Sequence, residues 1–370
     1  HSVYSKAVLV LLFAALISAC SAGQDSTDVI DSASFDAAEV QAEVDSVASV
    51  EAVSPGIEEV NGYTVVWLAG TPFELGFQHG QMLKEPIAEF VEQLQSDLLF
   101  QLILSLAVEN GMVELANDLS YPEIIQECEG LVAGAEGTGL MFEHCLLLNF
   151  GDIMLEQLSG LLQPQSQYLP GCSSLIAGGP ASPDGVLRHA RNLDWGGMNL
   201  GPVYENPVIF VRQPQDGIAH VVVGFPLNIS PYSGMNEQGL SICSHEADPL
   251  VTPTPDSASR SHVQMLSRLL TLAGSIEEAL GSILQESHAS CEMFTMSDSR
   301  EDRGVIVEMA KEAVFYREQE DGIVFATNHF LHPEMSGKNP DPGQSSALRA
   351  LRFEQLAIPE SPASLWGTFD

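Results

Sequence analysis

The chain has 370 residues, 45% of them apolar and 17% charged, enough for one large domain or two modest ones with a sizeable core. Its 14 Lys and Arg against 50 Asp and Glu give a net charge of −36. This balance, without a cluster of basic residues, argues against nucleic-acid binding and against binding to anionic lipid surfaces. A solvated acidic surface suited to a salty medium explains it without a cationic partner.

The first residues have the features of an export signal. Lys6 precedes an apolar run that is too short to span a membrane but suits the core of a signal peptide. The run ends in Leu-Ile-Ser-Ala-Cys, which resembles the lipobox of bacterial lipoproteins. We expect residues 1–19 to be a lipoprotein signal peptide and Cys20 to carry lipid, anchoring an exported protein on the periplasmic side or the cell surface. His1 in place of methionine indicates an incomplete N-terminal end.

A tether and a mostly helical region are predicted next. Residues 20–60 are rich in Ser, Asp, Ala, Glu and Val, which predicts a disordered acidic tether. A strand-like run at residues 63–68 opens the ordered part. We expect a mostly helical N-terminal region over residues 61–171, with one helix starting at Pro122 and another over about residues 142–162.

Two motifs of this region suggest sites but lack the residues that a site needs. His79 lies near Glu74, yet no matching ligand set follows, which favours a structural or propeptide role. The glycine-rich stretch at residues 134–139 lacks the Lys-Ser/Thr ending of a phosphate-binding loop. The wide spacing of the cysteines gives no zinc signature. We therefore predict neither a cofactor nor a metal.

A hairpin signature surrounds Cys172. An apolar run at residues 174–177 precedes a turn rich in Gly, Pro, Ser and Asp at residues 178–185, after which a second apolar run begins. The return strand would bring Arg191 and Asp194 beside the cysteine. A small buried structural thiol is the alternative interpretation of Cys172 taken alone.

The chemistry favours Cys172 as a nucleophile that becomes the N-terminus of a mature chain. A thiol attacks well only after it loses its proton. A new N-terminal cysteine brings its own base, since the pKa of an α-amine is about 7.7–8.0. Arg191 would favour the thiolate and Asp194 would orient the α-amine. Gly171 is expected on the leaving side of the cut, because glycine takes strained backbone angles without a Cβ penalty.

Beyond Asp194 the pattern is rich in β-strands, interrupted by a helical pair. The predicted strands lie at residues 208–212, 219–223, 292–296, 305–309, 313–316 and 322–326, and the helical pair at about residues 261–284. Residues 234–242 are predicted to be strands joined by a hairpin turn at Asn-Glu-Gln-Gly, residues 236–239.

Five polar residues of this half come into question for the site. Asn236 is interpreted either as a turn residue or as an amide donor to an oxyanion. Asn328, at a strand end, is a second candidate for an oxyanion donor or for orienting the substrate. His329 is interpreted as structural, because the α-amine already supplies a base. In a final predicted helix, Arg349 or Arg352 could point a cation back at the site.

Six motifs occur in order along the chain, at residues 76–80, 171–174, 191–195, 234–240, 327–330 and 346–349. They read Gly-x-Gln-His-Gly, Gly-Cys-Ser-Ser, Arg-Asn-x-Asp-Trp, Gly-Met-Asn-Glu-x-Gly-Leu, Thr-Asn-His-Phe and Ser-x-x-Arg. Together they resemble the penicillin acyltransferase-like family of autoproteolytic cysteine N-terminal-nucleophile (Ntn) hydrolases, which is related to choloylglycine hydrolase and acid ceramidase.

The resemblance implies an α+β fold, the four-layer αββα Ntn-hydrolase sandwich, and self-cleavage between Gly171 and Cys172 into two subunits. It also implies roles for six residues. Cys172 would be the nucleophile, Arg191 and Asp194 would support it, Asn236 and Asn328 would shape the oxyanion site, and Arg349 would complete the set. Only about forty residues follow Asn328, whereas the family usually continues with more strands. We therefore expect the catalytic region, residues 172–370, to be truncated at its C-terminus.

The other four cysteines are Cys128, Cys145, Cys243 and Cys291. Outside the cytoplasm they could pair in three ways, and four buried thiols are an equal alternative.

We hypothesise a lipid-tethered enzyme that cuts itself and then hydrolyses or transfers the acyl group of a linear small-molecule amide, through a thioester. The acyl group would be apolar, and the membrane would be contacted only through the lipid at Cys20. One alternative is a ceramidase-like or phospholipase-like lipid hydrolase of the same fold. Another is a non-catalytic lipoprotein that binds a ligand. The substrate, the choice between hydrolysis and transfer, and the oligomeric state, a homo-oligomer included, do not follow from the sequence.

Overall fold

The computed structural model describes residues 54–151, 153, 171–194, 207–247, 259–288, 291–311, 313–335, 337–338 and 344–356. The predicted signal peptide, the lipidation of Cys20 and nearly all of the predicted tether lie outside the described residues, as does Trp195 of the third motif. Within the described ranges, the helical residues 99–100 and 344 are described for their backbone alone.

The described chain contains fourteen strands and nine α-helices. The strands are β1 (Gly56–Val60), β2 (Tyr63–Gly70), β3 (Gly171–Ala177), β4 (Arg188–Asp194), β5 (Val208–Pro214), β6 (His220–Gly224), β7 (Ser233–Asn236), β8 (Leu240–Glu246), β9 (Ser259–Arg260), β10 (Ser287–His288), β11 (Glu292–Asp298), β12 (Arg303–Ala310), β13 (Ala313–Glu318) and β14 (Ile323–Ala326). The helices are α1 (Pro72–Met82), α2 (Lys84–Ser96), α3 (Leu98–Glu109), α4 (Met112–Leu119), α5 (Pro122–Gly134), α6 (Phe142–Leu148), α7 (His262–Leu272), α8 (Ile276–Ile283) and α9 (Gln344–Leu356).

Nine strands form one sheet in the order β1-β2-β5-β6-β7-β8-β11-β12-β13. All neighbours in it are antiparallel except β2 and β5, which run parallel. Because β2 precedes residue 171 and β5 follows it, the predicted N-terminal and catalytic regions share this sheet and do not fold as separate units. The tether was predicted to reach residue 60, which is wrong at its end, since residues 56–60 form β1.

A smaller sheet, in the order β14-β3-β4, packs against one face of the large sheet. Apolar side chains of both sheets meet there, such as Ile176 of β3 with Met293 and Ile306 of the large sheet. The opposite face of the large sheet is covered by α1, α2, α5, α7 and α8 through the largest apolar cluster. On the far side of the small sheet, Phe353 of α9 packs with Leu175. These layers are helices, sheet, sheet and helix, so the predicted α+β, four-layer αββα architecture is confirmed.

The glycines of the first motif, Gly-x-Gln-His-Gly, allow α1 and α5 to pack closely where they cross. A Cβ atom at Gly76 or Gly80 of α1 would lie 2.0 or 2.3 Å from a backbone oxygen of α5, and one at Gly130 or Gly134 of α5 would lie 2.1 Å from a backbone oxygen of α1. Only glycine allows backbones to approach so closely. His79 of α1 is completely buried against Phe210 of β5, and burial lowers the pKa of this histidine to about 3, so it is a neutral packed side chain.

One disulfide and one ion pair fasten α5 to its neighbours. Cys128 of α5 is bonded to Cys145 of α6, which is one of the pairings that the sequence left open, while Cys243 and Cys291 are buried thiols. Glu127 of α5 lies 2.7 Å from Arg212 of β5, and both side chains are almost fully buried. Burial raises the pKa of Glu127, and the nearby guanidinium opposes that shift and favours the ion pair.

Candidate active site

The hairpin predicted around Cys172 is formed by β3 and β4. In its register Cys172 faces Leu193 and Ser174 faces Arg191. Alternate residues of a strand lie on the same face of a sheet, so the side chains of Cys172 and Arg191 both point toward the large sheet. The result is a distance of 3.5 Å between Arg191 Nη2 and Cys172 Sγ. Arg191 Nη2 also donates to the backbone oxygen of Ser244, at 3.0 Å.

The thiol of Cys172 is 3% exposed and lies among opposing charges. Burial raises its pKa, because a thiolate loses its hydration there. The guanidinium of Arg191 lowers that pKa, the carboxylate of Glu246 raises it, a hydrogen bond from Asn328 lowers it, and the carboxylate of Asp194 raises it. The neutral thiol is therefore the resting form, and Arg191 and Asn328 are the groups that favour the thiolate.

Asn328 follows β14 and places its side-chain amide against the backbone of Cys172. Its Oδ1 accepts hydrogen bonds from the Cys172 N–H at 2.7 Å and from Arg349 Nη2 at 2.8 Å. Its Nδ2 donates to the backbone oxygen of Glu246 at 2.8 Å. Each Nδ2 carries two protons, so one donor remains on the side of the thiol. The structure thus brings Asn328 to Cys172, as the sequence predicted.

The structure selects Arg349 from the two arginines proposed on the last helix. Arg349 Nη1 donates to the backbone oxygen of Cys172 and, at 2.9 Å, to Ser173 Oγ. Burial lowers the pKa of Arg349, and the charges of Cys172 and Asp194 raise it. Arg352 of the same helix is exposed. The choice depends on which face of α9 packs on the small sheet.

Asp194 and Gly171 are opposite each other at the end of the β3–β4 ladder. A Cβ atom at Gly171 would lie 3.5 Å from Asp194 Cβ and 3.6 Å from Arg349 Nη2, which are ordinary contacts. The backbone of Gly171 is outside the left-handed region. The expectation that Gly171 is there to adopt strained angles is therefore wrong. Because glycine has no side chain, residue 171 itself does not shield the peptide bond between Gly171 and Cys172.

Asn236 is not brought to Cys172, and its contacts do not fit the predicted oxyanion role. Its Nδ2 donates to the backbone oxygens of Leu270, at 3.1 Å, and Ala273, at 2.8 Å, at the end of α7. Its Oδ1 accepts from the N–H groups of Gln238 and Leu240 in the β7–β8 turn. Both amide protons are used on the helix-covered side of the large sheet, so Asn236 is the turn residue that the alternative interpretation described.

Two residues near the nucleophile, both on β8, were missed by the sequence interpretation. Glu246, the last residue of β8, adds negative charge beside Cys172. His245 Nε2 lies 2.7 Å from Ser174 Oγ between the sheets, and burial, with the charge of Arg191, keeps the pKa of this histidine well below its usual value. Only the pairing of β8 within the large sheet brings these residues to the hairpin, and no motif marks that pairing.

Comparison with known proteins gives a family match. The model of the family described as acyl-coenzyme A:6-aminopenicillanic acid acyl-transferase matches residues 182–364. This match confirms the resemblance to the penicillin acyltransferase-like Ntn hydrolases that the motifs predicted. It begins ten residues after Cys172, so the part of the chain that is similar to the family includes Arg191, Asn328 and Arg349 but not the cysteine.

Individual relatives are more distant. An uncharacterized protein of Archaeoglobus fulgidus is 23% identical over 310 residues, which are 74% of this chain and 51% of that protein, so the chain spans about half the length of the curated relative that it matches. The N-acylethanolamine-hydrolyzing acid amidase ortholog of Caenorhabditis elegans is 13% identical, with a TM-score of 0.38 over 52% of this chain and 83% of that one. Penicillin V acylase from Agrobacterium tumefaciens is 17% identical, with a TM-score of 0.30 over 54% and 63%.

The described residues contain neither a metal-binding cluster nor a membrane-spanning helix. Among them, no group of three or more His, Cys, Asp or Glu side chains is arranged to hold a metal ion. No helix in the described ranges has the length and apolar character needed to cross a bilayer.

Proposed function

We propose that this protein is a self-activating cysteine amidase or acyltransferase whose nucleophile is the Sγ atom of Cys172. The observation that carries the proposal is the convergence of Arg191, Asn328 and Arg349 on one cysteine from three separate elements. A cysteine that only fills a core gap needs no cation at 3.5 Å and no amide held against its backbone. The family match supports acyl transfer as the reaction.

The first step of the proposal is self-cleavage. The Cys172 Sγ attacks the carbonyl carbon of Gly171, and the bond from that carbon to the Cys172 nitrogen breaks as the nitrogen takes up the thiol proton. The resulting thioester reacts with one water, which leaves a Gly171 carboxylate and restores the thiol. In the uncut chain the Cys172 N–H donates to Asn328 Oδ1 at 2.7 Å. The freed amine would keep the same acceptor.

Turnover of substrate then repeats the chemistry on a second amide. The freed α-amine, whose ordinary pKa of about 7.7–8.0 is close to neutrality, takes the thiol proton. The thiolate attacks the substrate carbonyl, and the negative charge that develops on its oxygen is met by an amide proton of Asn328 Nδ2. The departing amine takes up the proton, and the thioester passes its acyl group to water or to an acceptor amine.

The proposed substrate is a linear amide with an apolar acyl group, and the proposed location is a bacterial membrane to which lipid at Cys20 anchors the exported protein. Both proposals come from the sequence. The motif order and the family match support the amide, and the lipobox-like Leu-Ile-Ser-Ala-Cys supports the anchor.

The test is an intact-mass and N-terminal sequence measurement on the purified protein, its Cys172→Ala variant and a Cys243→Ala control. Cys243 is also a buried thiol, on β8 of the large sheet, so the control removes a thiol that is not part of the hairpin. We expect two fragments with a new N-terminus at Cys172 in the wild type and the control, and one uncut chain in Cys172→Ala. The same three proteins are then assayed on a panel of linear amides, lipid amides and esters.

Each result of this test has a defined meaning. Full amidase activity in Cys172→Ala would overturn the proposal. Preference for lipid amides or esters would select the lipid-hydrolase alternative. An uncut wild-type chain without turnover and without labelling by a thiol-reactive acyl probe would leave the non-catalytic binding lipoprotein.

A further inference from the structure

Ser346 holds a buried position between the last helix and the segment that follows β14. It is 6% exposed and lies in the first turn of α9. Its Oγ accepts a hydrogen bond from the Asn328 N–H at 2.9 Å, and it lies 2.8 Å from His329 Nδ1 and 3.1 Å from Thr327 Oγ1. One hydroxyl therefore contacts three consecutive residues, two of which, Thr327 and His329, are buried.

Asn328 and Arg349, which lie near the Ser346 hydroxyl, both contact Cys172. Asn328, fixed by Ser346 through its main chain, accepts from the Cys172 N–H through its side chain. Arg349, three residues after Ser346 on the same helix face, donates to the Cys172 carbonyl oxygen and to Asn328 Oδ1. Ser346 is thus the joint at which the helix that carries Arg349 is fastened to the segment that carries Asn328.

We propose that Ser346 is a positioning residue for the nucleophile, holding Asn328 and Arg349 in place against Cys172. This inference rests on the proposed function, in which Cys172 is the nucleophile. Ser346 does not contact Cys172, so it acts only through those two side chains. His329, which the sequence interpretation treated as structural, supports the same hydroxyl through its Nδ1.

Loss of the Ser346 hydroxyl would raise the pKa of the Cys172 thiol through Asn328. Without Ser346 Oγ the Asn328 N–H loses its acceptor, and the amide is free to move away from Cys172. The hydrogen bond from Asn328 is one of the two influences that lower the pKa of this thiol. Its loss leaves a smaller thiolate fraction at neutral pH, and the loss of one such hydrogen bond corresponds to a roughly five- to tenfold lower rate of thiol alkylation.

The experiment measures iodoacetamide alkylation of Cys172 by peptide mass spectrometry, as a function of pH, in the full chain and in Ser346→Ala. Ser345→Ala is the matched control, because Ser345 is the preceding residue of the same helix and is exposed, and among the described residues its hydroxyl only accepts a 3.4 Å hydrogen bond from Arg349 Nε. Expected are a roughly five- to tenfold slower reaction at neutral pH and a shift of the pH curve to higher pH in Ser346→Ala, and wild-type behaviour in Ser345→Ala. Ser346→Thr, which keeps a hydroxyl, should recover most of the rate.

A second variant keeps the test decisive if Ser346→Ala does not fold. Thr327→Val removes one neighbour of the Ser346 hydroxyl and leaves its contact with the Asn328 N–H, so we expect the wild-type pH curve. A folded Ser346→Ala with a wild-type curve, or a Thr327→Val curve shifted as far as expected for Ser346→Ala, would overturn the inference. Alkylation needs no substrate, so a protein without amidase activity whose alkylation still depends on Ser346 would reject the proposed function and leave the positioning role standing.

Discussion

Removing the charge of Arg191 tests how the buried thiol of Cys172 is made reactive. Burial already raises the pKa of this thiol, and the Arg191 guanidinium is the strongest influence that lowers it. Arg191→Gln keeps a hydrogen-bonding side chain and removes the cation, so the pKa rises further. The thiolate fraction at a given pH then falls, and the curve of reaction rate against pH moves to higher pH.

The size of the effect follows from the distance. At an effective dielectric constant of about 20, two unit charges 3.5 Å apart attract each other by roughly 5 kcal/mol. Arg191 is partly accessible to solvent, so we take about half of that energy as effective at the thiolate. Since roughly 1.4 kcal/mol corresponds to a factor of ten, the remaining energy of about 2.5 kcal/mol should lower the thiolate population of Cys172 at neutral pH about 60-fold.

The assay is the rate of iodoacetamide alkylation at Cys172 across the neutral and alkaline range, with circular dichroism to verify the fold. The matched control is Arg188→Gln, on the same strand, because Arg188 pairs with Asp184 at the surface and does not contact the cysteine. We expect the control to react like the wild type. A folded Arg191→Gln protein whose rate–pH curve coincides with that of the control would refute the electrostatic reasoning.

Three further predictions concern the scaffold. Glu127→Gln leaves the Arg212 guanidinium buried without its countercharge, so chemical denaturation should show a loss of about 3–5 kcal/mol. Gly130→Ala places a Cβ 2.1 Å from a backbone oxygen of α1, so the helices must separate, and we expect a lower melting temperature from about 1–3 kcal/mol of overpacking. Replacing Cys128 and Cys145 by serine removes a cross-link across 17 residues, and the urea midpoint should fall by the equivalent of about 3 kcal/mol, as it should when the wild type is reduced.

The sequence was most informative where the chemistry is local. Cys172, Arg191 and Asp194 lie on one hairpin, whose apolar runs and turn residues are visible in the sequence, so their approach to one another could be predicted. Asn328 was found because it directly follows a recognisable strand. In each of these cases neighbours along the chain decide the geometry.

Where distant parts of the chain meet, the sequence was not sufficient. The parallel pairing of β2 with β5 joins residues on both sides of the proposed cut, and no periodicity within either strand marks that partner. The choice of Arg349 over Arg352 depends on which face of α9 packs on Leu175 through Phe353. Glu246 reaches the site only through the strand order of the large sheet.

The two asparagines give the sharpest test of this distinction, because the sequence assigned both to the oxyanion site and the structure separates them. Asn236 donates both amide protons to backbone carbonyls at the end of α7, and its Oδ1 accepts hydrogen bonds from two N–H groups in its turn. Asn236→Ala should therefore lose about 2–4 kcal/mol of folding free energy, at about 0.5–1 kcal/mol for each of four hydrogen bonds, three of them buried, with alkylation of Cys172 unchanged. Asn328 contacts Cys172 and Arg349, so Asn328→Ala should slow alkylation and self-cleavage.

Denaturation midpoints and alkylation rates measured on the same two preparations decide the matter. The expected pattern is a stability loss without a change at the thiol in Asn236→Ala, and slower chemistry at the thiol in a folded Asn328→Ala. The reverse pattern, in which a folded Asn236→Ala labels slowly and Asn328→Ala labels normally, would return the oxyanion role to Asn236. It would also mean that the contacts of Asn328 serve only to hold the end of β14 against the hairpin.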